Sequence, residues 1–311
     1  MAQFTRLDPP LVARIAARYG LAVHATSPLA AGTINSNYRL DTDRGRVFLR
    51  VNEGAAEGDV AWEAALVDFL AARAVPTPRP LATTDGASYA AVDGVLVTLF
   101  PWVDAVHHDP PAPSDCAAVG RALRRLHEAG AGFPAPRPSR YAMDRIALRV
   151  DGLVAAAPPE VAVAVVDARR ELDALAGWRP PSDGIIHGDL FPDNVLFTPA
   201  GATLLDFEQA SAGSFVYDLA VVLLSWCWSD GAFVAERVAA LVASYGPVDP
   251  VALHEACRFC AVRFTVTRLT DVELDPRVGP EMRALKDYRA FWARLHALRA
   301  LSASGLAALT R

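Results

Sequence analysis

The sequence predicts an α+β fold of two lobes, a small β-rich N-terminal lobe over residues 1–103 and a larger, mainly helical C-terminal lobe over 104–311. Three observations predict it. A length of 311 residues suits about two domains of ordinary size. Runs of alternating apolar residues broken by turn residues are concentrated before Pro101. From Ser114 onward the apolar residues recur with helical spacing instead. No internal repeat interrupts this order.

The small lobe opens on Asp8-Pro9-Pro10, a capping residue followed by proline at the first helical position. That helix runs through Leu11, Ile15 and Tyr19 and stops at Gly20. Short β runs occupy residues 21–51, and NYRLDTDRGRVFLRV reads as a hairpin turning at Asp43-Arg44-Gly45. Residues 58–74 are helical, with Trp62, Leu66, Phe69 and Leu70 on one face. A proline-rich connection then leads to a second hairpin, YAAVDGVLVTLF, turning at Asp93-Gly94.

In the larger lobe, Ser114 is placed as the cap of a helix carrying Val119, Leu123 and Leu126. The Ala/Pro-rich stretch 137–159 reads as irregular, a surface insertion. GIIHGDLFPDNVLF and ATLLDFE interrupt the helical pattern as small strands with functional loops. Helices are expected over 216–228, 250–274 and 281–301.

Composition excludes several chemistries. Lys+Arg total 30 against 35 Asp+Glu, a net charge of -5, and Lys286 is the only lysine. No Gly-Lys-Ser/Thr occurs, so a Walker A loop is excluded, and a Schiff-base lysine is unexpected. The acidic balance argues against a nucleic-acid partner. The apolar run 219–228 is too short for a bilayer, which needs roughly 20 residues. The first ten residues show no signal-peptide core, and four cysteines suit reduced thiols in a cytoplasmic protein.

The main signal is His187-x-Asp189-x-x-x-x-Asn194, followed twelve residues later by Asp206. Moving a γ-phosphoryl group needs a carboxylate beside the acceptor hydroxyl and hard oxygen ligands for Mg²⁺. Asp189 suits the first role and Asn194 with Asp206 the second, while His187 at the loop entrance suits ordering the loop. Each polar residue alone could make a turn. The spacing within apolar flanks is what points to chemistry. Asp193, after Pro192, keeps the turn reading.

HGDLFPDNVLF, LLDFE and YDLA together resemble the aminoglycoside-phosphotransferase-like small-molecule kinases, a superfamily with the two-lobed protein-kinase-like fold. The likeness runs from GTINSNY to the last helices. It implies Asp189 as catalytic base, Asn194 and Asp206 as Mg²⁺ ligands, and Asp218 as the buried aspartate supporting the catalytic loop. It further implies ATP as donor. The phosphate-covering loop would be AAGTINSNY, with Gly32, Thr33, Asn35, Ser36 and Asn37 offering close approach and hydrogen bonds. The adenine hinge would be TLFPWV. Pro101 has no N–H, so Phe100, Trp102 or Val103 must donate. The nucleotide-pairing lysine should fall in VFLRV, where this chain has Arg50. Its expected partner is Glu63, and an exposed strand residue is the alternative. Glu208 either lines the acceptor site or points to solvent.

Within the superfamily, GTINSNYRL, VYDLAVVLLSWCW and ACRFCAVRFTVTRLTDVE look most like the homoserine kinases of this fold, which implies L-homoserine as acceptor. On the helix over 250–274, Leu253, Cys257, Cys260, Ala261 and Phe264 form one apolar stripe that Arg268 continues and Arg263 borders. An arginine facing a core needs an anionic partner, either a substrate carboxylate or an internal Asp/Glu. Trp226 is a core residue or a wall of the acceptor pocket, His127 a satisfied structural histidine, and the Cys257/Cys260 pair reads as packing. Aminoglycoside, choline or sugar-like acceptors are the nearest rival reading, and a nucleotide-binding pseudokinase is a second. The expected partner is a small-molecule hydroxyl substrate, with no nucleic acid or membrane, in a monomer or weak homodimer.

Overall fold

The computed structural model describes residues 5–29 and 35–310 and divides the chain into two compact units. The first comprises residues 1–106 together with Thr203–Glu208, and the second residues 107–202 and 209–311. The boundary therefore falls three residues later than the pattern implied, and the segment carrying Asp206 belongs with the first unit. A backbone bond from Leu204 N–H to Pro76 O (2.7 Å) ties it there.

The first unit opens with helix α1 (Pro9–Arg18), capped by Asp8, whose side chain accepts from Leu11 N–H. Its sheet is antiparallel, in the order β1 (Val23–Leu29), β2 (Ser36–Thr42), β3 (Gly45–Val51), β5 (Val95–Pro101), β4 (Ala90–Val92). Both hairpins turn where expected, because their turn residues accept positive φ. Asp93 and Gly94 have φ of 51° and 81°, which fits the type I′ turn favoured by right-twisted strands. Val12 and Ile15 of α1, with Tyr19 just after it, pack on Leu40, Leu49, Val97 and Leu99 of the sheet. Helix α2 (Glu57–Ala71) buries Val60, Leu66 and Leu70, and also the charged Glu63.

The second unit is mainly helical. Helix α3 (Pro113–Gly130) begins one residue before Ser114, with Ala112 at the cap position, so Ser114 lies in the first turn. Residues 137–159 are not an irregular insertion. They contain helix α4 (Met143–Ala156), which buries Ile146, Val150 and Leu153, and alanine's helix propensity outweighs the flanking prolines. Helix α5 (Ala162–Ala174) follows. Strands β6 (Gly184–Ile186), β7 (Val195–Thr198), β8 (Gly201–Leu204) and β9 (Ser211–Gly213) form two small antiparallel pairs, β6 with β9 and β7 with β8.

Helix α6 (Phe215–Trp226) is buried along nearly its whole length. Helix α7 (Ala235–Tyr245), which the sequence reading did not single out, packs against α3. The approach is close: a Cβ on Gly120 would lie 2.7 Å from the Leu241 carbonyl oxygen. The expected 250–274 helix is α8 (Pro250–Arg268), continued by a five-residue π-helical turn over Leu269–Glu273. The single helix expected over 281–301 is two: α9 (Pro280–Leu285) and α10 (Arg289–Leu309), separated at Lys286. The expected end at 301 is marked by Ser302, which leaves helical geometry at φ 59°. Helix α8 packs against α4, α5, α6 and α10 and is buried on all sides. Among the described residues no helix is long and apolar enough to cross a membrane.

Candidate active site

In the second unit, β6 delivers the chain into His187-Gly188-Asp189, and Asp218 in the first turn of α6 holds that turn. One Asp218 oxygen accepts the His187 N–H at 2.7 Å and the other accepts the Gly188 N–H at 2.8 Å. Gly188 sits at φ 76° with the Gln209 carbonyl oxygen 3.0 Å from where a Cβ would be, so only glycine fits without strain. His127 from α3 places Nε2 3.0 Å from Asp218, and its Nδ1 lies 2.8 Å from the Tyr245 hydroxyl. An ionised carboxylate only accepts, so Nε2 donates to Asp218. The imidazole stacks on Phe215 at 4.1 Å, and His127, His187 and Asp218 are all buried. Burial alone would raise the Asp218 pKa. The His127 bond, the charges of His127 and His187 and the Gly188 amide outweigh it and hold the carboxyl below its usual range.

The loop is pinned further on. Leu190 O accepts from the Trp226 indole N–H at 3.0 Å. Phe191 packs edge-on to Phe264 at 4.9 Å and against Phe291 at 5.8 Å. The Asp189 carbonyl accepts the Phe191 N–H and the Asn194 Nδ2 amide, each at 2.8 Å. With its amide N–H engaged, Asn194 keeps Oδ1 as its outward acceptor, the atom a hard metal ion would take. The Asp189 carboxylate is partly exposed and lies 3.5 Å from the Arg263 guanidinium of α8. Arg263 is itself buried and stacks on Tyr141 and Phe264, at 3.9 and 3.7 Å.

In the first unit Arg50 is buried, not an exposed strand residue. Its guanidinium pairs with Glu63 at 2.8 Å, reaches Asp206 at 3.6 Å and lies 5.8 Å from the centre of the Phe100 ring. Burial would lower the Arg50 pKa, but Glu63 and Asp206 raise it on balance. Asp206 holds the left-handed φ of 58°, uncommon outside glycine, and its carboxylate is exposed. Glu208 is half-buried and does not point to open solvent. Asn35 Nδ2 donates to it at 3.4 Å, and burial followed by the Asp206 and Glu63 charges pushes its pKa up.

Several expectations change here. Gly32 and Thr33 of the phosphate-loop reading lie outside the described residues. Ser36 gives its hydroxyl to Glu53 at 2.5 Å, and Asn35 accepts the Glu53 N–H at 3.1 Å. Both groups anchor the loop base, and Asn37 remains a phosphate-facing candidate. Trp102 donates its N–H to Arg46 O at 3.2 Å, so that N–H is engaged within the sheet. Trp226 is wholly buried and supports Leu190, so it is not a pocket wall. Arg268 has no internal carboxylate partner among the described residues, and its guanidinium donates to Asp287 O at 3.0 Å. The sequence reading passed over Glu53, Tyr141 and Arg294. Arg294, three residues after Phe291 on one face of α10, carried a periodic signal that could have found it.

A family model described as the phosphotransferase enzyme family (APH) matches residues 25–260. Homoserine kinase from Methylobacterium sp. (strain 4-46) is 32% identical over 285 residues, covering 87% of this chain and 88% of that protein. Homoserine kinase from Rhodopseudomonas palustris (strain HaA2) is 36% identical over 258 residues, 78% of each. Spectinomycin phosphotransferase APH(9)-Ia, solved with ADP and spectinomycin, superposes with a TM-score of 0.71 at 15% identity, covering 98% of both chains. Amicoumacin kinase hAmiN, solved with AMP-PNP and Ca²⁺, gives 0.69 at 15% identity, covering 96% of this chain and 94% of that one. At such identities the two solved structures speak to the fold alone.

Proposed function

Because this chain belongs to the phosphotransferase enzyme family and is a small-molecule phosphotransferase, we propose that it transfers the γ-phosphoryl group of ATP to the hydroxyl of L-homoserine. The single observation that carries the choice of acceptor is the charge beside the base. Asp189 faces the buried guanidinium of Arg263, with Arg268 close enough to feel the Asp189 charge. A cationic acceptor such as choline or an aminoglycoside would meet repulsion there, whereas an acceptor bearing a carboxylate gains attraction.

Asp189 receives the proton of the acceptor hydroxyl as its oxygen attacks phosphorus. Arg263, 3.5 Å from that carboxylate, fixes its direction and offsets its charge. Asn194, in the second unit, and Asp206, in the first, are the proposed ligands of a divalent metal ion. An amide oxygen and a carboxylate suit Mg²⁺, which takes few protein ligands beside nucleotide phosphates. The ion would neutralise charge on the phosphoryl oxygens. Arg50, oriented by Glu63, supplies fixed positive charge for the nucleotide. Arg50→Ala is expected to raise KM for ATP about tenfold or more, with Arg50→Lys recovering part of the loss, as charged hydrogen bonds imply. Steady-state kinetics at saturating acceptor checks this.

Phosphorus NMR of a reaction with ATP, Mg²⁺ and L-homoserine tests the function itself. One new phosphomonoester per ADP is expected. Inorganic phosphate as the only new product, or no reaction, contradicts it.

A further inference from the structure

Helices α8 and α10 present two guanidinium groups that, among the described residues, no carboxylate pairs with. Arg268 donates to Asp287 O at 3.0 Å. Arg294 donates to the carbonyls of Leu224, at 2.8 Å, and Ala290. These are main-chain acceptors, and among the described residues neither arginine has an Asp or Glu within ion-pair distance. Each Cζ lies 4.7 Å from the centre of the same Phe291 ring, so the two cations stand no further apart than twice that distance. Arg294 also lies 5.1 Å from the Trp228 ring. Both side chains keep partial access to solvent.

Two like charges so placed are costly without an anion. Burial, as the largest cause, pushes both guanidinium groups down to about 10, and the Arg268 charge adds to the effect on Arg294. They nevertheless stay protonated at neutral pH. Each guanidinium has five N–H donors, and the carbonyls above use only some of them. The ring that both arginines contact is part of the wedge that holds the catalytic loop: Phe291 packs on Phe264 at 4.6 Å and on Phe191, two residues beyond Asp189, at 5.8 Å. The arginine pair thus connects, through Phe291 and Phe191, to the loop that carries Asp189. Arg263 differs from it, since it is buried between Tyr141 and Phe264 and already faces Asp189. Arg263 is a positioning residue for the base, and the other two are open to a ligand.

We propose that Arg268 and Arg294 together bind the acceptor's carboxylate, setting the hydroxyl at the other end of the molecule against Asp189. This rests on the reading of the acceptor as a hydroxy amino acid and adds the residues that select it. Arg294 becomes a specificity determinant, with its guanidinium held near the Phe291 and Trp228 rings.

The test compares L-homoserine with L-homoserinamide, which keeps the size and the hydroxyl but removes the negative charge. Wild type should show KM about tenfold or more higher for the amide, as loss of a charged hydrogen-bonded pair implies. Arg294→Gln and Arg268→Gln should each raise KM for L-homoserine by a similar factor, with KM for ATP unchanged. On the amide, the Gln variants should add no comparable further loss. Arg294→Lys should recover part of the homoserine effect, and it carries the test if the Gln variant lowers the thermal midpoint. Unchanged KM for L-homoserine in these variants, or an equal loss on acid and amide, overturns the subsite. If wild type phosphorylates choline or an aminoglycoside but not L-homoserine, the acceptor reading fails and the subsite with it. Homoserine turnover with unaffected variants removes the subsite alone.

Discussion

Asp189→Ala is expected to abolish phosphoryl transfer while ATP binding persists. Loss of a general base costs on the order of 10²–10⁴ in rate, and at this site the base also directs the acceptor hydroxyl, so the fall should lie at or beyond the upper end. Alanine also strips the buried Arg263 guanidinium of its carboxylate neighbour, 3.5 Å away. Asp189→Asn is therefore the cleaner variant, since it keeps the shape and the hydrogen-bonding oxygen and removes only basicity and charge. Single-turnover kinetics beside calorimetric titration with a non-hydrolysable ATP analogue separates the two effects. The expected result is a collapse in rate with analogue affinity changed less than about threefold, or under 1 kcal/mol. Retained turnover in Asp189→Asn contradicts the assignment of the base.

Asp218→Asn should damage stability and activity together. The carboxylate accepts from the His187 N–H, the Gly188 N–H and the His127 ring, all in a buried setting. An amide has only one accepting oxygen, so at least one of these donors would face an N–H instead. Breaking such a buried charged network costs about 3–5 kcal/mol. For a unit of this size that lowers the melting midpoint by on the order of 10 °C. Because Asp218 has a depressed folded pKa, its contribution is fully present above the unfolded value of about 3.9 and is lost as pH falls through the folded value. Thermal melts between about pH 3 and 7 should show a stability decline at the acid end in wild type that is reduced in Asp218→Asn. An unchanged midpoint, or equal acid slopes, contradicts the buried-network account.

Local chemistry is what the sequence made legible. The Asp93-Gly94 turn needs positive φ at both residues, and Asp8 followed by two prolines offers a cap with little alternative. The catalytic loop was readable for a similar reason, because its polar residues sit at fixed spacing between short apolar strands. What could not be read was three-dimensional choice. Arg263 and Arg268 stand five residues apart on one helix and looked alike in needing an anion. The fold gives one of them Asp189 and, among the described residues, leaves the other without a carboxylate partner, because Asp189 arrives on a separate loop. Arg294 joins the second only because α10 packs along α8. Helix α4 was hidden by flanking prolines, although its own Ile146, Val150 and Leu153 follow helical spacing. Trp226 was ambiguous because an indole suits core and pocket equally, and only its burial and its bond to Leu190 decide.

The most direct measurement of the central claim is the ratio of kcat/KM for L-homoserine to that for choline and for an aminoglycoside, by coupled ADP release at saturating ATP and Mg²⁺. The positive charge beside Asp189 predicts a preference for L-homoserine of about a hundredfold or more, near 2.7 kcal/mol. Comparable or greater turnover of either cationic acceptor would contradict it.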